Sequence, residues 1–351
     1  MQKVITTQDH PNLKVGPEYV VENREFAYLM NTQILKSYCP VKPRLTNHSK
    51  PGSVLVCRSG AIGDLVFLMP AIRELSKRGH KVTLATMSQN RDVYKHDPHV
   101  NNIIDYPITF DEFDAYDYHV VTEDLIELSG LGEQHHPVDL FLAAANIVHC
   151  DNKIPKIYMD SSDYTRTFQF PKVYKKRLGV QVMASGYIRT PPQWSAIIDK
   201  FVKTGEWEVF LFGAPKTVKT EIDGNKPITN LTRTKNPMSL RDSFAMIKKC
   251  DLFLGPDSGL LHVAGALGVP AVGLYGAFPS ELRSNEYFPT VKGIDGKGPC
   301  APCFWHGRSA SFPPNCPSKA QNQCRVLASI TPDEVYSTSI AWMDEMKNKG
   351  E

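Results

Sequence analysis

From about residue 53 onward, apolar runs of strand length alternate with longer stretches of helical spacing, a pattern that predicts parallel α/β units. Residues 54–57 read as a short buried strand, followed by the loop Arg58-Ser59-Gly60-Ala61-Ile62-Gly63-Asp64. Over 65–78, Leu65, Leu68, Met69, Ile72 and Leu75 share a helical face until Gly79 stops the helix, and 82–85 is the next strand. Residues 101–106 and 119–121 read as strands, and 138–148 as an alanine-rich helix. Asp111, Glu112, Asp114 and Asp117 between them read as a solvated loop face. The alternation restarts at 180–183 and continues through a helix at 194–202, a strand at 207–212 and a helix at 240–249. Residues 214–236, rich in Lys, Thr and Asn, read as loops, and 155–170 as irregular. The most sharply patterned stretch closes the series: strand 252–254, turn Gly255 to Gly259, helix 260–267, stop at Gly268 and Pro270, strand 271–275. A strand, helix and parallel strand at this spacing form a right-handed crossover.

The expected organisation is an N-terminal arm and linker over 1–52, a first Rossmann-like domain over 53–175, and a second over 176–330. A helix over 20–36 is expected in the arm, with Pro40, Pro43 and Pro51 punctuating the linker. The second domain carries a cysteine-rich loop, 293–329. A final helix over 331–351 starts with Thr331 as cap and Pro332 at its first position.

Two strand-to-helix turns carry the candidate chemistry. Asp64 ends the first, at the edge where open parallel sheets take ligands, and can accept a proton from a substrate hydroxyl or simply cap the helix. Gly60 and Gly63 are there to relieve the turn, and GAIGD matches neither dinucleotide- nor P-loop glycine spacing. In the second turn Asp257, Ser258 and Gly259 open a helix whose free N–H groups suit a phosphate, unless Asp257 and Ser258 only cap the helix. Arg189 is a nearby cation for the same anion. His135, His136 and His149 have no Cys or carboxylate at convincing metal-ligand spacing; His119, His135 and His136 are the alternative bases if Asp64 only caps its helix.

The 40 basic and 37 acidic residues leave a formal charge of only +3, which does not call for nucleic acid. No apolar run reaches membrane-spanning length and the first residues carry no signal-peptide pattern, so a cytoplasmic protein is expected, with peripheral membrane contact left open. Of eight cysteines, Cys39, Cys57, Cys150 and Cys250 are scattered, while Cys300, Cys303, Cys316 and Cys324 cluster. Four sulfurs suit a structural zinc, although the second pair is spaced too widely for a knuckle; packed thiols or a disulfide are the other readings.

The run Gly63-Asp64-Leu65-Val66-Phe67-Leu68-Met69-Pro70-Ala71 resembles the helix start of the bacterial heptosyltransferase-type glycosyltransferases, family 9, of the two-domain GT-B architecture. Asn230-Leu231-Thr232, Ser239-Leu240 and Gly255-Pro256-Asp257-Ser258-Gly259-Leu260-Leu261-His262 are similar to that family's later block, and Cys300 to Val335 to its tail. The resemblance covers about 53–345. It implies two Rossmann-like domains facing a central cleft, with the last helix packing back toward the first domain. It also implies inverting, metal-independent transfer of a sugar, heptose-like or other, from a nucleotide-diphosphate donor, without a required cofactor. It makes Asp64 the base on the acceptor side, with Gly60, Gly63 and His119, and puts the donor at Gly186, Arg189, Thr232, Asp257, Ser258, Gly259 and His262. Ser258 is expected to meet phosphate through its hydroxyl and N–H, and Asp257 to cap the helix or orient His262. The lysine that often follows Gly186 in the family is absent, with Arg189 the candidate replacement. The implied acceptor is a glycan or lipid-linked glycan, such as lipopolysaccharide core. A modified DNA base is the alternative, with Arg58, Arg73, Lys77 and Arg78 as its basic path; a non-catalytic nucleotide-sugar-binding protein is another.

Overall fold

The computed structural model describes residues 2–5, 18–21, 45–46, 49–123, 125–127, 131–184, 186–213, 227–231, 238–284, 286–305, 313 and 315–350. The chain divides into two compact units, Met1–Lys153 and Ile154–Glu351. Each is built on its own parallel sheet, in the Rossmann-like manner expected of the GT-B fold.

In the first unit β1 (Gln2–Ile5) pairs antiparallel with β2 (Glu18–Val21). Val20 and Val21 are therefore strand residues, not the start of a helix; the rest of that expected helix, and Cys39, lie outside the described residues. The main elements follow as β3 (Ser53–Cys57), α1 (Ile62–Lys77), β4 (Lys81–Thr86), β5 (Asn102–Asp105), α2 (Phe110–Asp114), β6 (Tyr118–Val121) and α3 (Pro137–Ala144). The sheet order is β5-β4-β3-β6, all parallel, and chain order reverses between β3 and β6. Helix α1 begins three residues before its predicted start, which places Asp64 inside the first turn. It is also buried all round: residues 65 through 72 are covered without a break, because the helix lies under α3 as well as on the sheet. The acidic stretch read as a loop contains α2. Thr109 Oγ1 accepts from Glu112 N at 3.2 Å and the Glu112 carboxylate accepts from Thr109 N at 2.7 Å, a reciprocal cap that offsets weak propensity.

The second unit contains β7 (Lys176–Gln181), α4 (Trp194–Val202), β8 (Trp207–Phe212), β9 (Ile228–Asn230), α5 (Leu240–Lys248), β10 (Leu252–Pro256), α6 (Gly259–Ala266), β11 (Ala271–Tyr275), β12 (Val291–Asp295), α7 (Arg325–Ala328) and α8 (Pro332–Gly350). The strands run parallel in the order β12-β11-β10-β7-β8-β9. Order reverses between β7 and β10, the place where such sheets bind ligands. The unpredicted strands, β9 and β12, are the two edges; edge strands are short and polar and carry little hydrophobic signal.

Residues 154–175 belong with the second unit, ahead of the expected boundary at 175. The buried Arg241 of α5 holds Asp163 at 2.5 Å and donates to Tyr158 O at 2.6 Å, and Ile157 N donates to Ala266 O at 3.2 Å. These bonds wrap the segment, including a 3-10 turn at Ser161–Gln169, onto α5 and α6. Helix α8 packs on its own unit. Tyr336 meets Phe201 at 4.9 Å between ring centroids, and Trp342 Nε1 donates to Thr290 O at 2.9 Å. Among the described residues no helix is long and apolar enough to cross a membrane.

Candidate functional site

The expected donor residues gather at the β7/β10 reversal. Gly186 is buried, and its carbonyl accepts from Arg189 N at 3.1 Å and Thr190 Oγ1 at 2.9 Å, closing the loop after β7 into a short turn. Asp257 follows β10 directly. Its carboxylate faces His262 Nε2 at 3.3 Å and Arg283 Nε at 3.9 Å. Burial pushes this carboxyl up, but the His262 hydrogen bond and the charges of Arg283 and Arg189 outweigh it and bring it down to about 2. Of the two expected roles for Asp257, the structure shows the second: it holds His262. Arg283 escaped the sequence reading, since it sits in an irregular segment after β11 with no motif around it. Its guanidinium lies 3.9 Å from the Phe278 ring centroid.

Ser258 occupies the cap position of α6, yet its side chain makes no capping bond. Its Oγ accepts from Gln181 Nε2 at 3.0 Å, from the last residue of β7. Gly259 is the first helical residue, and the opening N–H groups of a helix have no intrahelical partners. Polar donors and the helix dipole thus converge where an anion would sit. Thr232 lies outside the described residues.

In the first unit the β3/β6 reversal is occupied by a buried cation. Arg58, only 1% exposed, places Nη2 2.9 Å from Asp64 Oδ2 and 2.7 Å from Glu127 Oε1, and its Nη1 donates to Thr122 O at 2.7 Å. Burial disfavours the guanidinium charge, but Asp64, Glu127 and Glu123 together hold it protonated. Asp64 Oδ2 also accepts from Ala61 N at 3.0 Å, so the residue is a helix-start acceptor as well as half of an ion pair. A Cβ at Gly60 would collide with both the Asp64 carboxylate and the Arg58 guanidinium. Gly60 therefore makes room for this pair, beyond merely easing a turn. Gly63 is the buried second residue of α1. Glu123 and Glu127 were missed because the loop after β6 has no recognisable spacing. Glu123 accepts from Ser59 N, and from Ser59 Oγ at 2.7 Å.

His119 is not brought to Asp64. It pairs with Leu55 on the sheet, two positions back from the strand end, stacks on Phe113 at 3.8 Å and bonds Phe113 O at 2.6 Å through Nε2. His136 accepts from Val138 N at 3.2 Å at the start of α3 and packs edge-on to Phe67. The basic path expected for DNA is largely used up within the unit. Arg58 is buried as described, Arg73 donates to Asn152 O, and Lys77 pairs with Glu74 at 2.7 Å.

The zinc set expected from the four cysteines is not formed. Among the described residues no group of three or more His, Cys, Asp or Glu is placed to hold a metal ion. Cys300, Cys303, Cys316 and Cys324 are free thiols. Cys300 and Cys316 pack against the apolar core of the second unit, and Cys324 precedes α7. Burial, with neighbouring cysteines, pushes the Cys303 and Cys324 thiols up.

Residues 132–311 match the family model for glycosyltransferase family 9 (heptosyltransferase), just over half of the chain. The lipopolysaccharide core heptosyltransferase OpsX of Haemophilus influenzae is 27% identical over 163 residues, 43% of this chain. The match spans 45% of that protein, so the chain spans about half the length of this curated relative. Among solved structures, the ADP-heptose LPS heptosyltransferase II of E. coli superposes with a TM-score of 0.60 at 18% identity, over 84% of this chain and 99% of that one. A family 9 glycosyl transferase from Veillonella parvula gives 0.63 at 14% identity, over 86% and 100%. The two parallel-sheet units and the sequence block that straddles them lead to one assignment: the chain belongs to glycosyltransferase family 9.

Proposed function

We propose that the protein is an inverting glycosyltransferase that moves a sugar from a nucleoside-diphosphate donor to a hydroxyl of a glycan acceptor. The observation that carries this reading is the start of α6. There an uncapping serine, free helix N–H groups and nearby arginine charge converge at the reversal point of a Rossmann-like sheet. The family's name and that of its H. influenzae member support a heptose as the sugar and lipopolysaccharide core as the acceptor.

In the proposed step the acceptor oxygen attacks the anomeric carbon while its proton passes to Asp64. The bond from that carbon to the diphosphate breaks, and the electron pair leaves on the diphosphate oxygen. Asp64 supplies general-base assistance, typically worth about 10²–10⁴ in rate. Oriented donors at Ser258 and the first turn of α6 stabilise the charge developing on the leaving group. Asp257 serves this site indirectly, by keeping His262 in place and by carrying its own negative charge on the side of Arg283.

The test is incubation with a panel of nucleotide sugars, ADP-heptose first, and truncated lipopolysaccharide cores. Released nucleoside diphosphate and product mass are measured. The expected result is one added sugar with inverted anomeric configuration. Donor binding without diphosphate release in any pairing would instead identify a binding protein.

A further inference from the structure

Gln181 ends β7, directly beside β10 in the sheet. Its strand neighbours Leu178 and Val180 are apolar and fully buried, and Gln181 itself is 7% exposed. The amide nitrogen Nε2 donates to Met183 O at 3.0 Å and to Ser258 Oγ at 3.0 Å. A backbone carbonyl only accepts, so the Met183 contact fixes which end of the amide carries the hydrogens. Both hydrogens are then committed. It follows that Ser258 Oγ is an acceptor toward Gln181, and its single hydrogen must point to a third group. That hydrogen has no role at the helix start, where the exposed groups are N–H donors and the serine side chain makes no cap. Gln181 Oε1, meanwhile, is buried without a hydrogen-bond partner among the described residues. A buried acceptor left unmade is destabilising.

We propose that Gln181 is a positioning residue for recognition of the donor diphosphate. By donating to Ser258 Oγ it turns the serine O–H outward as a donor to the phosphate oxygens, and its Oε1 receives a hydroxyl or N–H of the bound donor molecule. The proposal rests on the donor site described under Proposed function. It explains how an N-cap serine comes to serve an anion instead of its own helix.

The experiment is titration calorimetry with ADP, GDP and UDP on wild type, Ser258→Ala, Gln181→Met, Gln181→Glu and the Ser258→Ala/Gln181→Met double variant, with thermal unfolding as the fold control. Gln181→Met lowers affinity for the nucleotide that binds wild type by about 5–10-fold, and Ser258→Ala by a similar factor. The double variant loses less than the product of the two, since both act through one hydroxyl. Gln181→Glu supplies a readout that packing damage does not move. Ionised at pH 8, the new carboxylate can only accept, so it draws the serine hydrogen inward and repels phosphate, and binding falls further than in Gln181→Met. Protonated near pH 5 it can donate again, and the gap to wild type at the same pH narrows. If Gln181→Met does not fold, this pH profile carries the test. A Gln181→Glu deficit that stays constant from pH 8 to pH 5, fully multiplicative losses, or loss in one single variant alone would overturn the role of Gln181 while the donor site stands. Failure of all three nucleotides to bind wild type overturns both.

Discussion

The two units solve the same geometric problem with opposite chemistry. In each, chain order reverses beside the first strand, and a strand-to-helix turn with an aspartate sits at the reversal. In the first unit β3 and β6 are tied together there by a charge: Arg58 spans from the Asp64 carboxylate to Thr122 O. In the second, β7 and β10 are tied by a neutral amide, Gln181 to Ser258. The aspartates point in opposite senses. Asp64, third residue of its helix, folds back onto its own turn, whereas Asp257 precedes the helix and reaches forward to His262. The first arrangement leaves a carboxylate bound to Arg58 and Ala61 N at the helix start, which the proposed function would use toward a neutral hydroxyl. The second turns its acid to His262 and Arg283 and leaves the Ser258 hydroxyl and the first N–H groups of α6 unused by the helix, suited to an anion. Under the proposed function, one architecture would serve as a proton acceptor or an anion cradle by where a single carboxylate falls relative to the helix start.

The comparison can be broken most severely at Arg58. Arg58→Met removes the cation and leaves Asp64, Glu123 and Glu127 as like charges around an apolar side chain. Unfolding free energy from urea titration should fall by about 3–5 kcal/mol, the range for a buried ion pair that loses one partner. A loss under about 1 kcal/mol would mean the pair contributes little. Asp64→Asn is the next largest change. Glu127 still pairs with Arg58, so the fold should persist, as should donor affinity, while turnover drops at least about 100-fold. Near wild-type turnover would reduce Asp64 to a helix cap. Asp257→Asn is the mildest and tests the withdrawn acid. Its folded pKa, about 2, lies below the ordinary carboxyl value, so its stabilisation is present above about pH 4 and is lost as pH falls toward 2. Wild type should lose about 2 kcal/mol across that window through this group. The Asn variant should lack that part of the slope in denaturant titrations repeated from pH 5 down to 2.

Most interior strands and helices were legible as apolar runs bounded by Gly or Pro, whereas β7 was expected at 180–183 because its first half, Lys176-Arg177-Leu178-Gly179, breaks the apolar run. Helix α4 and strands β8 and β11 fall on their predicted residues. The edges β9 and β12 were not, since half-exposed strands lack that contrast. Within the site, residues tied to a strand-to-helix turn could be found by position: Asp64, Asp257, Ser258. Those that complete each turn come from elsewhere in the chain, as Glu127 does for Arg58 and Arg283 for Asp257, and only the folded sheet brings them there. Gln181 was hidden differently, as a polar residue at the end of β7 whose proposed role rests on Ser258 lying within hydrogen-bond reach of it. Of the readings the cysteine tail left open, packed thiols fit the structure: Cys324 belongs to the core and Cys300 and Cys316 pack against it.

The wrapping of residues 154–175 onto α5 bears on how this protein can be dissected. A gene fragment opened at Lys176, where the sheet begins, would discard Asp163 and strip the acid from Arg241, stranding a guanidinium inside the fragment. It would also remove the Phe170 carbonyl to which Arg177 donates at 2.5 Å. A fragment of the second unit meant for isolation has its natural first residue at Ile154, with the strap as part of the body it encloses.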